Sequence, residues 1–383
     1  MLRATVKPEL LRWARKRTGR SVEDLTSRSQ LRKLAQWESG KAAPTLKQLE
    51  AFARATYVPI GYLFLPAPPQ ERVPIPDLRT IGNEHIGHPS PDLLDTIHIC
   101  QQRQAWYREY ARSAGYEPLR FVGSADRGTS VPQVAQRMRD ALGFNLDARR
   151  DCPTWTDALR RFIEQADEAG VLVMTSGVVG SNNNRKLNTE EFRGFALSDE
   201  YAPLVFINGA DSKAAQMFTL AHELAHIWLG ESALSDVSPA SQPSQRIEVW
   251  CNQVAAELLV PLDVFRHELP RTNPLEDVSP LARRFKVSTL VILRRILDAE
   301  RIDWSTFQQA YGKEVDRLRA ILTTRGGGDY YLTTGARASK RFARALVVST
   351  FEGHTPFTEA FRMLGMRKMS TLKQLGHELG VDV

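Results

Sequence analysis

At 383 residues, with 42% hydrophobic and 25% charged residues and a mean hydropathy of −0.33, the chain has the composition of a globular protein of several domains, which excludes wholesale disorder. No stretch approaches the roughly 18 apolar residues of a spanning helix, and the opening MLRATVKPELLRWARKRTGR lacks the apolar core of an export signal, so a cytoplasmic protein without membrane contact is expected. The formal charge of +7 is uneven: residues 1–66 hold 13 Lys/Arg against 5 Asp/Glu, whereas 67–314 hold 27 against 33 and 315–383 hold 11 against 6, the balance of a polyanion-binding head on a mildly acidic body.

Helical periodicity begins at PELLRWARKR (8–17), where Pro8 suits a first turn. Further short helices fit SVEDLTS, RSQLRKLAQW and TLKQLEAFARAT, with Ser21 and Thr45 as N-caps. Residues 1–66 therefore read as a small all-helical domain. PAPPQERVPIPDLR (66–79) holds five prolines, so 67–90 is expected to run as an extended linker. Helical patterns follow at 91–115, 131–142 and 154–169, then β-like runs at 171–177, 192–199 and 203–209. The first two runs are joined by the polar loop SGVVGSNNNRKLNTEE; the last two are parted only by EYA, as in an antiparallel hairpin. SKAAQMFTLAHELAHIWL (212–229) and QRIEVWCNQVAAELLV (245–260) predict two helices around a polar loop at 235–244, with further helices to about 322. Among these, LARRFKVSTLVILRRILDAERI (281–302) has a helix-turn-helix cadence, with Val287 and Ser288 at the turn. GGGDYY (326–331) marks a second boundary, before a mostly helical region at 329–383. The expected fold is α+β: a helical head, a mainly helical domain at 91–322 (core 155–300) with a small antiparallel sheet, and a helical C-terminal region of unknown role.

The densest chemistry lies in TLAHELAHIWLG (219–230). Residues four apart share a helix face, so His222 and His226 present two imidazoles to one point, while Glu223, about 100° round, reaches a water there without itself being a ligand. A catalytic zinc takes three protein ligands and keeps one open position. His-Glu-x-x-His arises by chance in on the order of one in a hundred chains like this. Apolar Ala221, Leu224, Ala225 and Ile227 enclose the three polar residues, whose unpaired burial costs about 1–3 kcal/mol each. On spacing, the third ligand is Glu248 or its rival Glu257, and Asn252, four residues after Glu248, is placed to hold a zinc histidine. Cys100, Cys152 and Cys251 are widely spaced with no Cys-x-x-Cys, so buried free thiols are expected.

FRGFALSDEYAPLVFIN, MFTLAHELAHIWL and IEVWCNQVAAELLVP together resemble the ImmA/IrrE family of intracellular zinc metallopeptidases, whose second helix reads Glu-x-x-Ala-Asn/Asp-x-Phe-Ala-Ala-x-Leu-Leu-Met-Pro. The resemblance implies one Zn2+ per chain held by His222, His226 and Glu248, Glu223 as the catalytic base, Asn252 as the supporting residue and Glu257 at an exposed position. It also gives PLVFING the role of receiving extended substrate by edge pairing. This sequence departs from the pattern at Cys251, Val254 and Val260. LAQWESGKAAPTLKQLEAFARAT resembles the XRE-type helix-turn-helix, which implies double-stranded DNA as a partner. Arg28, Gln30, Arg32, Lys33 and Gln36 then face base edges, and Lys41 and Lys47 face phosphates. Ser21 to Trp37 is 16 residues, shorter than that motif's usual span. The resemblances imply an endopeptidase that cleaves a repressor or antitoxin-type protein to regulate transcription. The alternative is a non-proteolytic XRE-type regulator with a structural or sensory zinc.

Overall fold

The computed structural model describes residues 3–78, 80–81, 84–85, 89–235, 245–270, 273–322 and 337–382. The chain forms two units, Met1–Pro74 with Ile86–Ile97, and Ile75–His85 with His98–Val383. The division falls inside the proline-rich stretch.

The first unit holds α1 (Pro8–Lys16), α2 (Val22–Thr26), α3 (Leu34–Glu38) and α4 (Leu46–Thr56). Pro8 sits in the first turn of α1, where its missing N–H is no loss. Ser21 and Thr45 form capping boxes with Asp24 and Gln48. Leu11, Leu25, Leu31, Leu34, Trp37, Leu49 and Phe52 fill the core. Arg15 grips Glu38 with two hydrogen bonds of 2.8 and 2.9 Å, fixing α1 on α3. RSQLRKLAQW, expected as one helix, is broken: a 3₁₀ turn at Ser29–Leu31 precedes α3, and Lys33 between them has φ −96° and ψ 13°. Leu31 in the turn and Leu34 at the start of α3 are both fully buried.

The second unit contains most of α5 (Pro91–Ser113), then α6 (Val131–Leu142), α7 (Leu146–Arg150), α8 (Trp155–Glu168), α9 (Lys213–Leu229) and α10 (Arg246–Leu259). These are followed by α11 (Leu262–Glu268), α12 (Val278–Phe285), α13 (Thr289–Asp298) and α14 (Trp304–Leu322). Residues 281–302 thus become part of α12 and α13, whose buried side chains join the core of this unit. The short strands β1 (Thr80–Ile81) and β2 (Glu84–His85) pair with each other. The polar loop expected after the first β-run contains a hairpin of β4 (Val178–Val179) and β5 (Asn182–Lys186).

The central sheet comprises β3 (Leu172–Ser176), β6 (Gly194–Leu197), β7 (Leu204–Asn208) and β8 (Ala233–Ser235) in the order β3-β7-β6-β8. The class is α+β as expected, but the sheet is mixed: β3 runs parallel to β7, and the other pairs are antiparallel. β7 is interior, paired along Leu204–Asn208 with β3 and along Leu204–Ile207 with β6. All its residues are buried, which explains its unbroken apolar run. The expected substrate-receiving role of PLVFING is therefore overturned, because both of its edges are filled by the protein's own strands. On the outer side of β8, Leu78 N–H donates to Leu234 O and Leu234 N–H to Pro76 O, each at 2.9 Å, so part of the expected linker is stitched to the sheet.

α9 packs on β6, β7, α8 and α10. Its C-terminal carbonyls are covered by another loop: Gly123 N–H donates to Ile227 O at 3.1 Å and Ala125 N–H to Trp228 O at 2.9 Å. Phe121 stacks on Trp228 at 4.4 Å. Helices Lys340–Phe351, Phe357–Leu364 and Met369–Glu378 follow. Buried Arg103 pins them, donating from Nε and Nη2 to Met363 O at 3.0 and 2.7 Å and from Nη1 to Arg337 O at 2.8 Å. Asp167, its carboxyl raised by burial, accepts from Arg341 N–H at 2.8 Å and from the Ser339 hydroxyl. Of the expected loop at 235–244 only Ser235 lies among the described residues, and GGGDYY lies outside them. Among the described residues no helix is long and apolar enough to cross a membrane.

Candidate metal centre

Ser212 caps α9 by accepting from Ala215 N–H, and Gly230 ends it in the left-handed region at φ 73°. Between these stops the helix is almost wholly buried, and His222, Glu223 and His226 are each 0% exposed. Gly194 makes this depth possible. A Cβ there would lie 2.6 Å from Thr219 Cγ2, 2.9 Å from Phe206 O and 3.2 Å from Glu223 Oε1, so its bare backbone lets β6 close onto α9 beside the glutamate.

The next helix supplies the remaining groups. His226 Nε2 lies 3.2 Å from His222 Nε2 and 3.0 Å from Glu248 Oε1, and His222 Nε2 lies 3.4 Å from Glu248 Oε2. Those separations match the roughly 3.3 Å edge of a tetrahedron with metal–ligand bonds of about 2.0–2.1 Å. Asn252 Oδ1 accepts from His222 Nδ1 at 3.0 Å, which leaves the Nε2 lone pair of that ring aimed at the shared point. Both oxygens of Glu223 are buried, with the Ser235 hydroxyl as a nearby polar group. Two imidazoles and a carboxylate converging beside a buried glutamate are a donor set that fits a divalent transition metal.

The protein's own charges act strongly here. Burial, and then the negative charge of Glu248, push the Glu223 carboxyl well above the usual carboxylate range. Burial pushes His226 down. Burial works against ionisation of Glu248, but the His222 and His226 rings outweigh it and hold the carboxyl at about 2. A cation bound at the shared point would stabilise the ionised form of Glu223.

Of the residues singled out in sequence, the structure gathers His222, Glu223, His226, Glu248 and Asn252. Glu257 lies elsewhere. Instead of the exposed position expected for it, Glu257 is 8% exposed, paired with Arg295 and accepting from Leu262 N–H at 3.3 Å. Two further residues border these groups. Ser235 Oγ lies 3.3 Å from His226 Nε2 and 3.4 Å from Glu248 Oε1, a position set by the pairing of β8 with β6 and carried by no motif. Cys251 Sγ and one ring nitrogen each of His222 and His226 lie within 4.8 Å of one another. Its place one turn after Glu248 was the available signal. In the first unit, Arg28, Gln30, Arg32, Lys33, Gln36, Lys41 and Lys47 are all exposed, but they are spread over the 3₁₀ turn, the break, α3, the loop after it and the start of α4.

A family model described as the IrrE N-terminal-like domain matches residues 166–297, and one described as a domain of unknown function matches 338–378. The chain is 40% identical over 91 residues to the radiation response metalloprotease IrrE of Deinococcus radiodurans, covering 22% of this chain and 28% of that protein. It is 37% identical over 91 residues to the protein of the same name from Deinococcus deserti, covering 22% and 32%. The chain thus spans about a third or less of the length of these relatives. Residues 166–297 match the IrrE N-terminal-like domain, and that stretch contains the histidine pair, Glu223, Glu248 and Asn252.

Proposed function

We propose that the second unit is a zinc-dependent endopeptidase. His222, His226 and Glu248 hold the ion, with Asn252 orienting His222. The observation that carries this reading is the convergence of three donor groups within 3.0–3.4 Å beside the fully buried Glu223. Bound zinc supplies a Lewis acid that polarises a peptide carbonyl. Glu223 takes the proton of the attacking water and returns it to the leaving amine. The apolar enclosure of α9 excludes competing water and strengthens each charge interaction. Glu223→Gln is expected to retain the metal and to lose cleavage of a target protein. The assay is incubation with the repressor-type product of the adjacent gene, followed by mass spectrometry. Cleavage undiminished in Glu223→Gln rejects this mechanism.

The first unit is proposed to bring the enzyme to double-stranded DNA through Arg28, Gln30, Arg32, Lys33, Gln36, Lys41 and Lys47. The break before α3 makes the Ser29–Leu31 turn, rather than one continuous helix, the element that meets the duplex. Binding that weakens steeply with salt is the expected signature, and a repressor or antitoxin-type protein held at such DNA is the proposed substrate. One observation favours the second reading, a non-proteolytic regulator with a structural or sensory zinc: the metal centre has no exposed surface at either histidine. An intact target after incubation with zinc-loaded wild type, together with DNA binding, supports that reading instead.

A further inference from the structure

We propose that the cavity beside the carboxyl ends of β3 and β7 binds a small molecule that carries a phosphate and a planar ring, the class of a nucleoside monophosphate. The site shares no residue with the metal centre, and the inference does not rest on the zinc reading.

The fold builds the cavity. β3 and β7 run parallel, so both end on the same side, where Thr175, Ser176, Gly177 and Gly209 border the space. Adjacent parallel strands commonly seat ligands outside their carboxyl ends. α8 and the first turn of α9 form one part of the wall, and the helices Lys340–Phe351 and Met369–Glu378 form another. The space is about 1420 Å³, more than the roughly 300–1,000 Å³ of ordinary small-molecule sites. It lies where the segment matching the IrrE N-terminal-like domain meets the segment matching the domain of unknown function.

Charge and rings select the occupant. Six cationic side chains line the cavity against four carboxylates. Three of the cations are engaged: Lys340 with Glu164 at 2.6 Å, Arg160 with Asp157 at 3.3 Å, and Arg341 with the Tyr107 hydroxyl at 2.7 Å. Asp167 is likewise committed, to Ser339 and to Arg341 N–H. That leaves Lys213, Arg337 and Arg344, which have no ion-pair partner among the described residues, against the exposed Glu168 and Glu378. Lys213 Nζ reaches only Gln216 Oε1, at 3.4 Å, and the protein around it lowers its ammonium. A phosphate group supplies the missing acceptors, since its oxygens take charge-assisted hydrogen bonds from ammonium and guanidinium groups together. α5 and the loop after it add an aromatic side. Tyr110 and Tyr116 meet edge to face at 6.2 Å, and Tyr116 is 44% exposed, so its ring offers a stacking surface to a planar base.

The test is equilibrium dialysis of the zinc-loaded full chain against the four ribonucleoside monophosphates, each beside its unphosphorylated nucleoside. Saturable binding of one equivalent per chain is expected for at least one monophosphate, with its nucleoside about tenfold weaker or more, as loss of charge-assisted hydrogen bonds predicts. Lys213→Gln and Arg344→Gln change side chains open to solvent, and each is expected to weaken binding about tenfold with the fold unchanged by circular dichroism. Tyr116→Leu, which removes the stacking face, is expected to weaken it as well. Absence of saturable binding by all four monophosphates, equal affinity for nucleoside and monophosphate, or an affinity that neither Lys213→Gln nor Arg344→Gln lowers overturns the assignment.

Discussion

The same substitution at two glycines is expected to act in opposite directions. Gly194→Ala adds a methyl group 2.6 Å from Thr219 Cγ2 and 2.9 Å from the Phe206 carbonyl, which is held in the β6–β7 ladder and cannot move aside. Relief requires β6 and α9 to separate by several tenths of an ångström, and overpacking of this kind costs about 1–3 kcal/mol. Because Glu223 Oε1 lies 3.2 Å from the same methyl, the disturbance reaches the metal centre. Gly312→Ala, on exposed α14, adds a methyl that meets nothing within 4 Å. It is expected to stabilise by about 0.5–1 kcal/mol, through the lower backbone entropy of alanine in the unfolded chain. Urea unfolding followed by tryptophan fluorescence separates the two, with a lower midpoint for Gly194→Ala and a higher one for Gly312→Ala. A Gly194→Ala midpoint at or above wild type refutes the claim that the site depends on this close strand–helix approach.

Asn252→Ala is expected to weaken zinc binding about 10- to 100-fold, the usual effect of losing a group that orients a ligand histidine, as read by competition with a chelating dye. In the metal-free protein Glu248 titrates at about 2, below the ordinary value of 4.5, so its contribution to stability is present above about 4.5 and lost as the pH falls toward about 2. Stability of the chelator-treated protein, measured between about pH 5 and pH 3, is therefore expected to fall more steeply in wild type than in Glu248→Gln.

Much of the candidate site's geometry was legible because it is local. His222 and His226 are four apart on one helix, and Glu248 and Asn252 four apart on the next, so 3.6-residue periodicity alone sets each pair on a face. Which carboxylate of α10 turns toward the histidines is local as well: nine residues at about 100° each set Glu257 half a turn round from Glu248, so it faces away and pairs with Arg295. Strand order was not local: β7 reads as a strand from its apolar run, but its interior place is set by β3, whose parallel pairing leaves no mark in either sequence. Ser235 came to the site by strand pairing alone.

The central claim is that two imidazoles of α9 and one carboxylate of α10 hold a single divalent ion. Its most direct test is the metal content of the purified full chain beside the His222→Ala and Glu248→Ala variants, by mass spectrometry of the dissolved ions. One zinc per wild-type chain, and a strong loss in both variants with the fold intact by circular dichroism, is the expected result. A wild-type chain without bound metal after zinc loading, or variants that retain a full equivalent, contradicts it.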